Sequence, residues 1–209
     1  HQKIFEYCNK KKIRYSCSAF DLGSLKFIHK NFNLPFFKIP SGEILSLDMF
    51  DYIIDTSLPI LLSTGTSKLS EIEFAFNYLN KKGKKDITIM HCISSYPAKL
   101  SNINMEYMLF LKNHFNIEVG YSDHTIGPQA AIVAASMGAS IIEKHVTLNN
   151  KLDGPDHKSS MEIEEFLKLV KEIKLINRIR GKSKKNISHN TRDVKKVAMK
   201  SLVAKKKLK

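Results

Sequence analysis

Residues 118–145 read EVGYSDHTIGPQAAIVAASMGASIIEKH, and this stretch carries the pattern on which the fold turns. A short strand-like run at 118–121 ends in Ser122, Asp123 and His124. A small-residue helical stretch follows at 128–137, and Gly138 sits where a left-handed residue ends a helix. A second strand-like run at 140–143 ends in Glu143, with His145 just beyond it. No hairpin signal separates the two runs, so a helix carries the chain to a parallel neighbour.

The same unit recurs on both sides of this stretch. Strand-like runs at 13–19, 36–39, 60–62 and 87–90 precede helical stretches at 22–32, 47–54, 69–81 and 105–115. The last run, 140–143, is followed at a distance by a helical stretch at 163–179. Ser70 and Glu73 have the spacing of a capping box in the first turn of their helix, and Gly83 marks its end. Six consecutive βα units predict a parallel sheet, either open and doubly wound or closed as a (β/α)8 barrel.

Polar residues at the strand ends separate these two folds. In chain order they are Ser18, Lys38, Ser63 with Thr64, His91, Ser122 to His124, and Glu143 with His145. An open sheet gathers its ligand at one point of reversal, whereas a barrel draws its site from many strand ends around a ring. The fold expected is therefore an α/β TIM barrel, incomplete, with about six βα units and the first two missing. The chain starts at His1 rather than Met, which adds to the expectation of an internal piece of a longer protein. Residues 1–180 form the partial barrel in this reading and 181–209 a basic linker.

Composition narrows the function classes. The net charge of +14 suggests a nucleic-acid partner until its placement is considered. Thirteen Lys and Arg face one acid between residues 178 and 209, which leaves +2 for the rest of the chain. That tail has no interleaved aromatics and no recognisable reader motif, so no specific nucleic-acid partner is expected. No apolar run approaches the roughly 20 residues of a membrane span. Cys8, Cys17 and Cys92 make neither a metal pair nor a disulfide ladder, a usage that suits a reducing cytoplasm.

Four local patterns can carry chemistry. His124 and His145 end adjacent strands, where two imidazoles can share a divalent ion such as Mn²⁺, Co²⁺ or Zn²⁺ or can each simply cap a strand. Lys38-Ile-Pro-Ser-Gly-Glu43 joins an ammonium, a hydroxyl and backbone N–H groups in one loop, suited to an anion but equally to a solvated surface. Ser63-Thr-Gly-Thr-Ser67 offers similar groups or only a turn into a helix. Gly154-Pro-Asp-His157 is a stiffened loop that can present Asp156 to a sugar hydroxyl or hold a lid. His91 and Tyr96-Pro97 complete the set, while His29, His114, His157 and His189 read as ordinary helix or loop residues.

Read together, KIPSGE (38–43), LSTGTS (62–67), HCISSYP (91–97), GYSDHTIG (120–127), IEKHVTL (142–148) and GPDHKSS (154–160) resemble the sialic acid (N-acetylneuraminate) synthase family. Order and spacing agree from about Ile13 to Ala204, and the PSGE form is closer to the neuraminate and legionaminate branches than to the pseudaminate branch. The resemblance implies an enzyme that condenses phosphoenolpyruvate with an N-acetylated mannose-type sugar, releasing phosphate and a nine-carbon 2-keto acid. It implies a divalent metal on His124 and His145, with Mn²⁺ favoured and Mg²⁺ or Co²⁺ as alternatives. It matches Ser18, Lys38, Ser41, Ser94 and Ser122 to substrate-binding positions, and Glu43, Tyr96 and Asp156 to catalytic or sugar-positioning ones.

The sequence also departs from the family pattern. Ser94 stands where a better-known bacterial member carries Asn. The family's first two βα units, which bring a catalytic Glu and a further phosphate-binding Lys, are not in the sequence. Lys200-Ser-Leu-Val-Ala204 resembles the approach to the family's C-terminal antifreeze-like (SAF) domain, which in the family completes a homodimer's sugar site. Two other readings stay open: another metal-dependent barrel aldolase or hydrolase, and an inactive barrel remnant.

Overall fold

The computed structural model describes residues 1–181, 184, 188–200 and 202–207. Five parallel strands form the main sheet: β1 (Phe37–Ile39), β2 (Ile60–Ser63), β3 (Ile87–Cys92), β4 (Val119–Asp123) and β5 (Ile142–Lys144). They lie side by side in chain order, without the reversal that defines a doubly wound sheet. The sheet curls into an incomplete α/β TIM barrel. Its helices are α1 (Gln2–Lys10), α2 (Leu22–Asn31), α3 (Leu47–Ile54), α4 (Leu69–Lys81), α5 (Glu106–Phe115), α6 (Gln129–Met137), α7 (Ile163–Arg180) and α8 (His189–Ala198).

Burial explains the strands' composition. All four residues of β2 are buried, as expected where a parallel strand is covered on both faces. Ile39, Leu62, Ile89 and Tyr121 join Ile53, Ile72, Leu79 and Leu111 from the helices in one core. Each such side chain contributes roughly 1.5–3 kcal/mol by leaving water. Helix α6 is rich in alanine for a steric reason. Ala130, Ala131, Ala134 and Ala135 are buried on it, and it packs against both β4 and α7. Gly138 caps α6 at φ +100°, where a Cβ would stand 2.8 Å from the Arg180 guanidinium that reaches back from α7. Arg180 Nη1 donates to the Ala135 carbonyl at 3.3 Å, closing the helix end.

Three expectations need correction. Residues 13–19 form no strand; they run beside β1, tied by the Ser16 hydroxyl to the Phe36 carbonyl at 3.4 Å rather than by a backbone ladder. The main sheet therefore has five strands, not six. The Ser70–Glu73 capping box does not form, because the helix is capped at Lys68, two residues before Ser70. Glu71 instead accepts from the Lys68 N–H at 2.7 Å, and Glu73 pairs with His114 at 2.8 Å. A two-stranded parallel pair, β6 (Val146–Thr147) and β7 (Met161–Glu162), was not foreseen, since two residues carry no readable period. It matters because the 154–157 loop lies between its strands.

In the expected linker 181–209, residues 182, 183, 185–187, 201, 208 and 209 lie outside the described residues. Helix α8 within that stretch buries no residue.

Candidate active site

Strand register sets the floor of the site. Cys92, Ser122 and Glu143 are successive ladder partners across β3, β4 and β5, and all three line a cavity of about 480 Å³. It opens at the C-terminal ends of the strands, the end where barrel sites form. Ser18, Phe20, Lys38, Pro40, Ser41, Gly42, Ser63, Ser94, Tyr96, His124, His145 and Asp156 complete the lining. A larger cleft of about 630 Å³ lies at the opposite rim, between residues 29–34 and 55–58, and is lined by none of the candidate catalytic, binding or metal residues.

One side of the cavity gathers an ammonium and several hydroxyls. Lys38 extends from β1, 11% exposed, and its Nζ lies 3.1 Å from Glu143 Oε1. Ser122 donates to the same oxygen at 2.6 Å. Ser41 and Ser94 bring their hydroxyls within 3.2 Å of each other, joining the loops after β1 and β3. The 63–67 loop supports both, since the Thr66 hydroxyl donates to the Ser41 carbonyl at 3.0 Å. Gly65 allows the close approach: a Cβ there would stand 2.3 Å from Ser94 Oγ and 2.7 Å from Cys92 Sγ. Ser63 Oγ is buried with no hydrogen-bond partner among the described residues, and Ser63 lines the cavity. Burial pushes the Cys92 thiol pKa up, so it faces the cavity protonated.

The other side holds the two histidines. The rings of His124 and His145 meet edge-on with centroids 5.4 Å apart, and Tyr96 packs over His124 at 4.3 Å. His124 Nδ1 lies 2.7 Å from the Ile93 carbonyl, which can only accept, so that nitrogen carries the proton. Burial lowers the imidazole's pKa, which keeps it neutral. Its Nε2 therefore presents a lone pair. The nearby Ser122 hydroxyl, 3.4 Å away, gives its proton to Glu143 and leaves that lone pair free. This tautomer suits a metal ligand. Among the described residues no group of three or more His, Cys, Asp or Glu is arranged to hold an ion. Two imidazoles alone fit an open site with exchangeable positions rather than a closed structural one.

Asp156 lies at the rim, its carboxylate 3.9 Å from His145 Nδ1 and about half exposed. Its loop is pinned by His157, whose Nδ1 is 2.8 Å from the Thr147 hydroxyl of β6. Burial raises the Tyr96 phenol's pKa, so it remains a donor. Glu43 is the exception among the sequence candidates. It ends a 3-10 turn, Ser41–Glu43, and its carboxylate accepts from Ser46 rather than lining the cavity.

His91 also turns away. It precedes Cys92 by one residue, and in a strand that step reverses the face. Its Nε2 donates to the Ile103 carbonyl at 2.8 Å, 3% exposed, in the layer beneath α5. The strand runs two residues further than sequence suggested, so Cys92 takes the place expected of His91.

Residues 1–185 match the NeuB family. The N,N'-diacetyllegionaminic acid synthase of Campylobacter jejuni is 40% identical over 211 residues, covering 100% of this chain and 63% of that protein. The pseudaminic acid synthase of Helicobacter pylori is 34% identical over 202 residues, covering 97% of this chain and 59% of that protein. The crystal structure of N-acetylneuraminic acid (sialic acid) synthetase from Leptospira borgpetersenii in complex with citrate superposes with a TM-score of 0.85 at 33% identity, covering 93% of this chain and 68% of that one. The chain spans about three-fifths of the length of the curated relatives it matches.

Proposed function

The chain belongs to the NeuB family, and from that premise we propose that it forms the catalytic barrel of an enzyme joining phosphoenolpyruvate to an N-acetylated mannose-type sugar. The observation that carries this reading is the meeting of Lys38 and a set of serine hydroxyls with a histidine pair in one cavity. Lys38, Ser18, Ser41, Ser63, Ser94 and Ser122 hold the phosphate and carboxylate of phosphoenolpyruvate. Glu143 must then release Lys38 and Ser122, both of which it holds in this structure. Tyr96 and Asp156, on the histidine side, orient the open-chain sugar, and Glu43 acts through the turn that aims Ser41.

In the proposed reaction the methylene carbon of phosphoenolpyruvate attacks the sugar aldehyde and forms the new C–C bond. The aldehyde oxygen takes up a proton and becomes a hydroxyl. Water adds to the cationic C2 and loses a proton, and phosphate leaves by C–O cleavage to give the 2-keto acid. Fixed donors around the anion stabilise the charge that moves in these steps. His124 and His145 would hold a divalent ion, Mn²⁺ by preference, whose chemistry is Lewis-acid polarisation of an aldehyde oxygen.

Phosphate release tests the proposal, measured on this chain and on the complete product of its reading frame. Release is expected only with phosphoenolpyruvate, sugar and divalent ion together. Undiminished release after exhaustive chelation would remove the metal from the scheme. The 40% identity to a diacetyllegionaminate synthase, against 34% to a pseudaminate synthase, supports a legionaminate precursor, and a panel of legionaminate, neuraminate and pseudaminate precursors tests it.

A further inference from the structure

We infer that Lys144, in a buried pair with Asp123, is a positioning residue that fixes the spacing between His124 and His145 for a shared divalent ion. The inference rests on reading those two imidazoles as metal ligands, and it adds residues that do not touch the cavity.

Strand parity places the pair. Ser122 and Glu143 are ladder partners facing the cavity, and the next partners, Asp123 and Lys144, face away from it. Their side chains are 0% and 1% exposed, and Lys144 Nζ lies 2.8 Å from Asp123 Oδ2. The same nitrogen donates to the Thr125 carbonyl at 2.5 Å. Lys144 thus grips the residues on both sides of His124, while its own backbone is bonded directly to His145. Asp123 is held in turn by the Thr125 N–H at 2.8 Å and the Tyr121 hydroxyl at 3.3 Å.

The ladder gives this grip its importance. Registered pairing of β4 with β5 ends at Asp123 and Lys144, so both histidines lie one residue past the last ladder partners. Beyond that point their backbones are held by different segments. The His124 carbonyl accepts from the Ala98 N–H at 2.9 Å, and the His145 carbonyl accepts from the Met161 N–H at 2.8 Å. Lys144 links the two strand ends directly at this level. Partners outside the ligand shell set ligand geometry at metal sites, and their loss weakens metal affinity by about 10- to 100-fold.

The test is Mn²⁺ titrated into the full chain, with bound ion measured from the loss of the free-ion EPR signal and folding followed by circular dichroism. The wild-type chain is expected to bind and His124→Ala to lose binding. Lys144→Met is expected to weaken binding about 10- to 100-fold. Because that variant leaves a buried carboxylate unpaired and endangers folding, Asp123→Asn/Lys144→Met is measured beside it. This double variant removes both charges together and keeps an Oδ1 acceptor for the Thr125 N–H and the Tyr121 hydroxyl, so it should melt nearer the wild type than Lys144→Met yet bind Mn²⁺ as weakly. Wild-type affinity in either folded variant overturns the positioning role. Equal affinity in wild type and His124→Ala overturns the metal reading beneath it.

Discussion

Lys38 is the cation on which the proposed anion cradle depends, and its partner in this structure is Glu143, 3.1 Å away. A hydrogen bond from a charged donor contributes roughly 1.5–3 kcal/mol. Lys38→Ala should therefore raise the KM for phosphoenolpyruvate about 10- to 100-fold, and an unchanged KM would remove Lys38 from the site. His91 and His124 support a second prediction, because burial holds both imidazoles below the ordinary value near 6.5. As pH falls the unfolded chain takes up these protons first. The stability they support is whole above about pH 6.5 and is lost as pH falls toward their folded values. Melting temperature should drop between pH 7.5 and 5.5, and less steeply in His91→Gln, whose amide can still donate to Ile103; an equal slope would clear His91. The cradle residues and the histidines were readable from sequence because a barrel places its chemistry at strand ends. His91 was misread because the strand runs on to Cys92, two residues past the end read from sequence. The Asp123–Lys144 pair was hidden because sequence shows which residues are polar and not which face they take.

Among the elements, α6 shows how packing overrides a simple amphipathic pattern. It lies between the sheet and α7 and buries alanines toward both, so no single apolar stripe marks it. Ala134 is 0% exposed. Overpacking a dense core typically costs about 1–3 kcal/mol. Ala134→Leu should lower unfolding stability by that amount in urea titrations, whereas Val133→Leu on the exposed side should have little effect. Most helices were readable from periodicity and their terminal residues. The 13–19 run misled because its apolar residues pack in the core through Tyr15 and Ala19 while its backbone makes no ladder. Burial alone produced the strand-like pattern there.

For the molecule as a whole, charge and core are separate. The basic excess lies past residue 178, and α8 contributes no buried side chain. Deleting residues 182–209 should leave the melting temperature of the barrel portion unchanged and abolish any salt-sensitive affinity for RNA. A large fall in melting temperature would show that the tail packs on the barrel. The run of strands in chain order has a consequence for biosynthesis. A ribosome delivers β1 first and β5 later, and each arriving strand meets an edge already laid down by its predecessor. None has to be inserted between two earlier strands, so the nascent chain can grow its sheet as a mason lays courses. The two histidines arrive with the fourth and fifth courses, so the place where they meet is finished only after the strands that carry Lys38 and Ser63 have been laid.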